Sequence, residues 1–230
     1  MYTQKIIKLL RRLAGIVLGS RGRFESAGYW QNRYQNGGTS GAGSYGRLAD
    51  WKARVLNGFV EDKGIVRVLE LGCGDGNQLS LANYPEYAGF DVASAAVERC
   101  RNRFTGKPWQ FALYSPEKVA SAGRIFKPDL ALSLDVIFHL VEDAVFHEYM
   151  KALFSVDAPY VIIYSSNGNF AVEAAHIRDW VFLNWVDANA QQWQLKQHIK
   201  NQYPYDPGDP ENTSFSDFYV FEKQVSTGTE

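Results

Sequence analysis

Val68-Leu69-Glu70-Leu71-Gly72-Cys73-Gly74-Asp75-Gly76-Asn77 passes from an apolar run into three alternate glycines. The run spans about 65–71, is short and rich in branched aliphatic residues, and ends at a glycine, as a buried strand does. Glycines at 72, 74 and 76 let the backbone turn tightly and let a ligand approach without a Cβ in the way. A short helix over 78–82 would then present unpaired N–H groups to a carboxylate or phosphate.

Outward from this turn the same alternation repeats. Strands are predicted over 87–92, 109–114, 129–134 and 160–164, and helices over 95–104, 142–154 and 177–190. Two strands, 193–199 and 215–222, close the chain without a helix between them. The polar stretch 203–214, with Pro204, Pro207 and Pro210, joins them as a long hairpin connection. Continuous apolar strands alternating with amphipathic helices indicate an α/β fold, doubly wound around a mostly parallel seven-stranded sheet with a C-terminal antiparallel hairpin.

Upstream, residues 1–35 carry seven basic side chains against Glu25 alone, and residues 203–230 carry six acids against Lys223. Ile6, Leu9, Leu10, Leu13 and Val17 recur at helical spacing, opposite Lys5, Lys8 and Arg12. Such a helix packs on its own domain or provides a peripheral membrane or protein contact. A glycine-rich loop follows, with Gly37, Gly38, Gly41, Gly43 and Gly46 behind the aromatics Tyr29, Trp30 and Tyr34. Leu48, Trp51, Val55, Leu56 and Phe59 then mark one face of a helix. Residues 1–60 are therefore taken as an N-terminal helical extension with a glycine-rich lid, and 61–230 as the ligand-binding domain.

The whole chain of 230 residues carries 24 Lys and Arg against 25 Asp and Glu, so no overall field favours nucleic acid. The two cysteines are too few for a disulfide scaffold or a zinc cage, and a reduced, cytoplasmic setting is expected. No apolar run approaches the ~18 residues of a membrane span.

In a doubly wound sheet, ligands bind beyond the carboxyl ends of the strands. Asp91, ending the second strand, is placed to accept hydrogen bonds from both hydroxyls of a ribose. A dinucleotide fingerprint would need its third glycine at 77, where this chain has Asn77. The G-x-G-x-G spacing, Glu70 two residues before it and Asp91 beyond it resemble the first two motifs of class I S-adenosylmethionine-dependent methyltransferases. Asp129-Leu-Ala-Leu-Ser-Leu-Asp135 is similar to their fourth-strand motif.

The resemblance covers about 65–223 and implies a Rossmann-like fold with S-adenosylmethionine as cofactor. It also implies that Glu70, Gly72, Cys73 and Gly74 line the cofactor and that Asp91 holds its ribose. Val92 and Tyr114 would stand near the adenine, and Leu134 and Asp135 near the methionine end. Cys73 reads as a small residue filling a crowded turn.

His139, four residues past Asp135, is the candidate general base. His176 and Arg178 follow the fifth strand and are candidates for substrate binding, Arg178 otherwise forming a surface ion pair with Asp179. Asp135 and His139 lack a third ligand, so no metal is expected.

The expected reaction is methyl transfer, and O-methylation of a small-molecule or glycan acceptor is favoured. Nucleic acid is not expected as a partner, since no basic stripe interleaves the aromatics. The layout around Gly38–Gly46 is similar to methyltransferases of bacterial surface-polysaccharide biosynthesis. A catalytically silent cofactor-binding subunit and an NAD-dependent oxidoreductase are the alternatives.

Overall fold

Val68, Leu69 and Leu71 have no exposed surface, because β1 (Arg67–Leu71) is covered on both faces. It pairs in parallel with β2 (Glu86–Asp91) on one side and β4 (Leu130–Leu134) on the other. Beyond these lie β3 (Trp109–Leu113) and β5 (Tyr160–Ser165), also parallel. β7 (Asp217–Lys223) runs antiparallel to β5, and β6 (Trp193–Ile199) antiparallel to β7. The order is β3-β2-β1-β4-β5-β7-β6, so the winding reverses between β1 and β4. A crevice opens there beyond the strand ends. This computed structural model describes residues 24–169 and 174–224. The basic segment anticipated before residue 20 lies outside the described residues.

Successive strand residues point to opposite faces, and each face collects its own helices. Leu69 and Leu71 join Ala131, Val161 and Ile163 under α4 (Pro116–Phe126), α5 (Asp143–Ser155) and α6 (Phe182–Asn189). Val68, Leu130, Leu132 and Tyr87 join the other face, under α2 (Gly46–Lys63) and α3 (Ser94–Arg103). The remaining helix, α1 (Ser26–Gln35), lies on α3, where the Gln31 amide oxygen accepts the Ser94 N–H at 2.8 Å.

All seven anticipated strands form, with ends that coincide with the anticipated ones or differ by at most two residues. The helices need more correction. α4 had no counterpart in the sequence reading, although Ser115 accepts the Lys118 N–H and Pro116 stands in the first turn, a regular start signal. α1 was not anticipated as a helix. The helix expected over 177–190 covers only Phe182–Asn189, and 78–82 contains the 3-10 turn Gln78–Leu81. In α2 the buried side includes Leu48, Trp51 and Leu56, as expected, and also Lys52.

Phe221, 1% exposed, meets Phe154 edge-to-face at 5.4 Å and ties β7 to α5. Phe221→Ala should cost about 3–5 kcal/mol, read as a lowered urea midpoint at unchanged slope. A midpoint within error of wild type would show that β7 does not complete the core.

Candidate functional site

The turn after β1 is anchored to the end of β2. Gly72 N–H and Cys73 N–H both donate to the Phe90 carbonyl, at 2.7 and 3.0 Å. Gly74 N–H donates to Asp91 Oδ2 at 2.9 Å, and Ala93 N–H to Oδ1 at 2.9 Å. All three glycines of the turn have positive φ, which excludes most other residues. The space beside them is filled by protein. A Cβ at Gly72 would stand 2.3 Å from Val136 Cγ2, and one at Gly74 2.4 Å from Ser40 Oγ. The missing Cβ atoms therefore admit neighbouring segments of this chain, a different reason from the ligand approach expected on sequence grounds.

Ser40 belongs to the glycine-rich stretch, which lies over the turn and is bonded to it. Asp75 is the clamp: Oδ2 accepts the Ser40 N–H at 2.8 Å and the Tyr45 hydroxyl at 2.9 Å, while Asp75 N–H donates to Ser40 Oγ. Burial works against its charge, but the N–H groups of Asn77 and Ser40 outweigh that and hold the carboxyl below the usual range. Arg99 donates to the carbonyls of Gly38 and Tyr34, and Ser26 donates from both N–H and hydroxyl to Glu142.

Beneath this cover is a cavity that opens to solvent. Glu70, Gly72, Cys73, Gly74, Asp91, Val92, Tyr114, Leu134, Asp135 and His139 all line it, so ten of the anticipated residues meet in one place. Two do not. Arg178 stacks over the Trp180 ring at 3.7 Å and donates to Asp143 and to the Val141 carbonyl. Its ion pair is with Asp143 rather than Asp179, because the chain runs back along the start of α5 here. The His176 ring stacks on Tyr29 at 4.9 Å, outside the cavity lining.

His176 nevertheless reaches His139: its ring stacks on the His139 ring at 5.6 Å, and its carbonyl lies 3.0 Å from His139 Nδ1. A carbonyl oxygen only accepts, so Nδ1 carries the proton and Nε2 keeps its lone pair. Burial pushes His139 down to about 4, so the ring is neutral at physiological pH. Burial raises two carboxyls in the same cavity: Glu70, which accepts the Tyr87 hydroxyl at 2.5 Å, to about 7, and Asp91 to about 6. Hydrogen bonding with Cys100 and burial push the Cys73 thiol well up, which fits packing and not a nucleophile.

Sequence reasoning missed Lys52, Asp75, Ser40, Gln78 and Tyr149, all in the cavity lining. Lys52 stands four residues from both Leu48 and Leu56 on the apolar stripe of α2, a signal that was available. Two buried polar atoms among the lining residues, Tyr114 Oη and Gln78 Oε1, have no hydrogen-bond partner among the described residues. Unsatisfied buried polar atoms mark where a ligand's polar groups fit. No cluster of metal-ligating side chains occurs among the described residues.

With this geometry the chain compares closely in fold with several solved enzymes. The N-methyltransferase NodS of Bradyrhizobium japonicum, in complex with S-adenosyl-L-homocysteine, has a TM-score of 0.67 at 12% identity, over 88% of this chain and 100% of that one. The methyltransferase domain of bacterial CtHen1 has a TM-score of 0.57 at 19% identity, over 76% and 97%. Magnesium protoporphyrin IX methyltransferase of Synechocystis, with bound S-adenosyl-L-homocysteine, gives 0.56 at 13%, over 77% and 85%. The fold is that of the S-adenosylmethionine-dependent methyltransferases. No family model and no curated protein matches the chain.

A raised carboxyl binds its proton more readily folded than unfolded, so its contribution to stability is full at low pH and is lost as pH rises through the folded value. Relative to wild type, Glu70→Gln should therefore gain about 2 kcal/mol between pH 5 and pH 8. His139 acts in the opposite direction between about 4 and 6.5 but is common to both proteins and cancels in the difference. Urea midpoints of the two proteins that stay parallel across this interval would show Glu70 to be ionised without cost.

Proposed function

We propose that this protein is an S-adenosylmethionine-dependent methyltransferase acting on a small-molecule or sugar acceptor, with S-adenosylhomocysteine as product. The observation that carries this reading is the covered cavity at the β1–β4 reversal, where the glycine turn, Asp91 and the unpartnered Tyr114 hydroxyl meet. When bound, the cofactor supplies an activated methyl group on a sulfonium.

The residues present fit that cofactor. Asp91 has spent one lone pair of each oxygen on backbone N–H groups, leaving capacity for two ribose hydroxyls. Val92, exposed at 41%, offers an apolar surface to the adenine, and the Tyr114 hydroxyl a polar contact. Glu70 and Leu134 face the methionine end, with Gly72, Cys73 and Gly74 as its backbone floor, and Asp135 stands between that end and His139. The clamped stretch over Asp75 excludes water from the reacting centre.

Neutral His139, its Nε2 free and its ring fixed by the His176 carbonyl, takes the proton of an acceptor hydroxyl. This favours O-methylation. The clamped cover favours a small acceptor over a polynucleotide, although one solved structure of similar fold is the small RNA methyltransferase HEN1. The free, buried Cys73 and Cys100 fit a reducing, cytoplasmic setting, and a sugar acceptor fits a place in surface-polysaccharide synthesis.

S-adenosylhomocysteine should raise the melting temperature, and more at pH 8 than at pH 5.5, because ribose hydroxyls favour the ionised form of Asp91. Asp91→Ala should weaken binding by about tenfold or more in calorimetry. A mass-shift screen over sugars, nucleotide sugars, small phenols and short RNA identifies the acceptor. With that acceptor, His139→Ala should lower turnover about 100-fold while leaving cofactor affinity within about threefold. No thermal shift at millimolar S-adenosylhomocysteine would remove the cofactor assignment, and wild-type turnover in His139→Ala would remove the base.

A further inference from the structure

Lys52 has no exposed surface, and its ammonium is the one cation lining the cavity among the described residues. From α2, Nζ donates to Asp135 Oδ2 at 2.7 Å and stands 4.9 Å from the centre of the Tyr164 ring. Ser216 Oγ donates to the other oxygen, Oδ1, at 3.1 Å. Asp135 itself has φ of 56°, a conformation its Cβ disfavours, at the end of β4. The covering stretch closes directly on this carboxylate, since a Cβ on Gly43 would stand 3.0 Å from Oδ2. Glu70 from β1 and Tyr164 from β5 are titratable groups about the pair, and so is His139 after β4, the proposed base, which puts the pair at the methyl-accepting end.

Burying an ion pair gains little stability over an apolar pair of the same size, so its presence calls for a reason in the chemistry. An anion alone at the methyl-accepting end would favour the protonated form of an acceptor amine. An ammonium nitrogen has no lone pair and cannot accept a methyl group. A second ammonium beside the same carboxylate removes that preference while leaving its oxygens as hydrogen-bond acceptors.

We propose that Lys52 is a positioning residue that cancels the charge of Asp135 at the methyl-accepting end of the cavity, so that Asp135 receives a hydrogen bond from a neutral hydroxyl or free amine and does not hold a cation. The assignment rests on the methyltransferase reading above. It narrows the acceptor to a neutral O–H or N–H group.

Sinefungin tests this without knowledge of the acceptor, because it carries an amine where S-adenosylmethionine carries the transferable methyl. Its affinity relative to S-adenosylhomocysteine, measured by calorimetry at pH 7.5, reports the charge at that position. Lys52→Met should raise the sinefungin preference about tenfold and Asp135→Asn lower it about tenfold, while Lys52→Arg stays within about threefold of wild type. Should Lys52→Met fail to fold, Lys52→Met/Asp135→Asn buries no unpaired charge, and its preference should exceed that of Asp135→Asn by about tenfold. A merely structural role for Lys52 would lower stability and leave these ratios unchanged, and unchanged ratios with S-adenosylhomocysteine still bound overturn the proposal. If wild type fails to bind S-adenosylhomocysteine, the cofactor reading falls and the inference with it.

Discussion

The Gly74 N–H bonded to Asp91 joins the turn after β1 to the end of β2, and the site is built outward from that contact. It holds a carboxylate in a buried position beside a backbone with positive φ, so the cavity has an acid wall and a floor of main chain. The next residue, Asp75, faces the other way and gathers Ser40 and Tyr45 down onto the turn. Two adjacent residues thus set both the inner wall and the cover.

That arrangement concentrates charge in a poorly solvated space. Glu70 and Asp91 are both pushed upward by burial, while the Lys52–Asp135 pair compensates itself a short distance away. A protein selected for stability alone has little use for three buried ionisable groups and a largely buried carboxylate near one cavity. Their presence at the β1–β4 reversal, under a cover bonded to the glycine turn, is what makes a ligand-binding role physically economical. The unpartnered hydroxyl of Tyr114 belongs to the same logic, as a polar group left open where a ligand edge fits.

The fold was largely legible because its signals are local. β1 reads as a buried strand from the seven residues 65–71, and the turn after it from alternate glycines whose positive φ the structure retains. Ten of the twelve anticipated site residues converge because they lie at or shortly after strand ends, and parallel strands place their carboxyl ends on one edge. Arg178 and His176 follow a strand end as well. They stand outside the cavity lining because the chain after β5 turns toward α5, where Asp143 and Val141 take the guanidinium and Tyr29 and His139 flank the His176 ring. α4 went unread although Ser115 and Pro116 announce it.

By itself the sequence determined the alternating sheet, the antiparallel closing pair and the position of the glycine turn, since periodicity and backbone permissiveness act over a few residues. Tertiary structure alone decided that Lys52 pairs with a residue 83 positions away, that the His176 carbonyl fixes the His139 tautomer, and that Ser40 occupies the space above Gly74. Each of these is a contact between segments brought together by packing, and a buried charge or an aimed lone pair acquires its partner only when distant elements close around it.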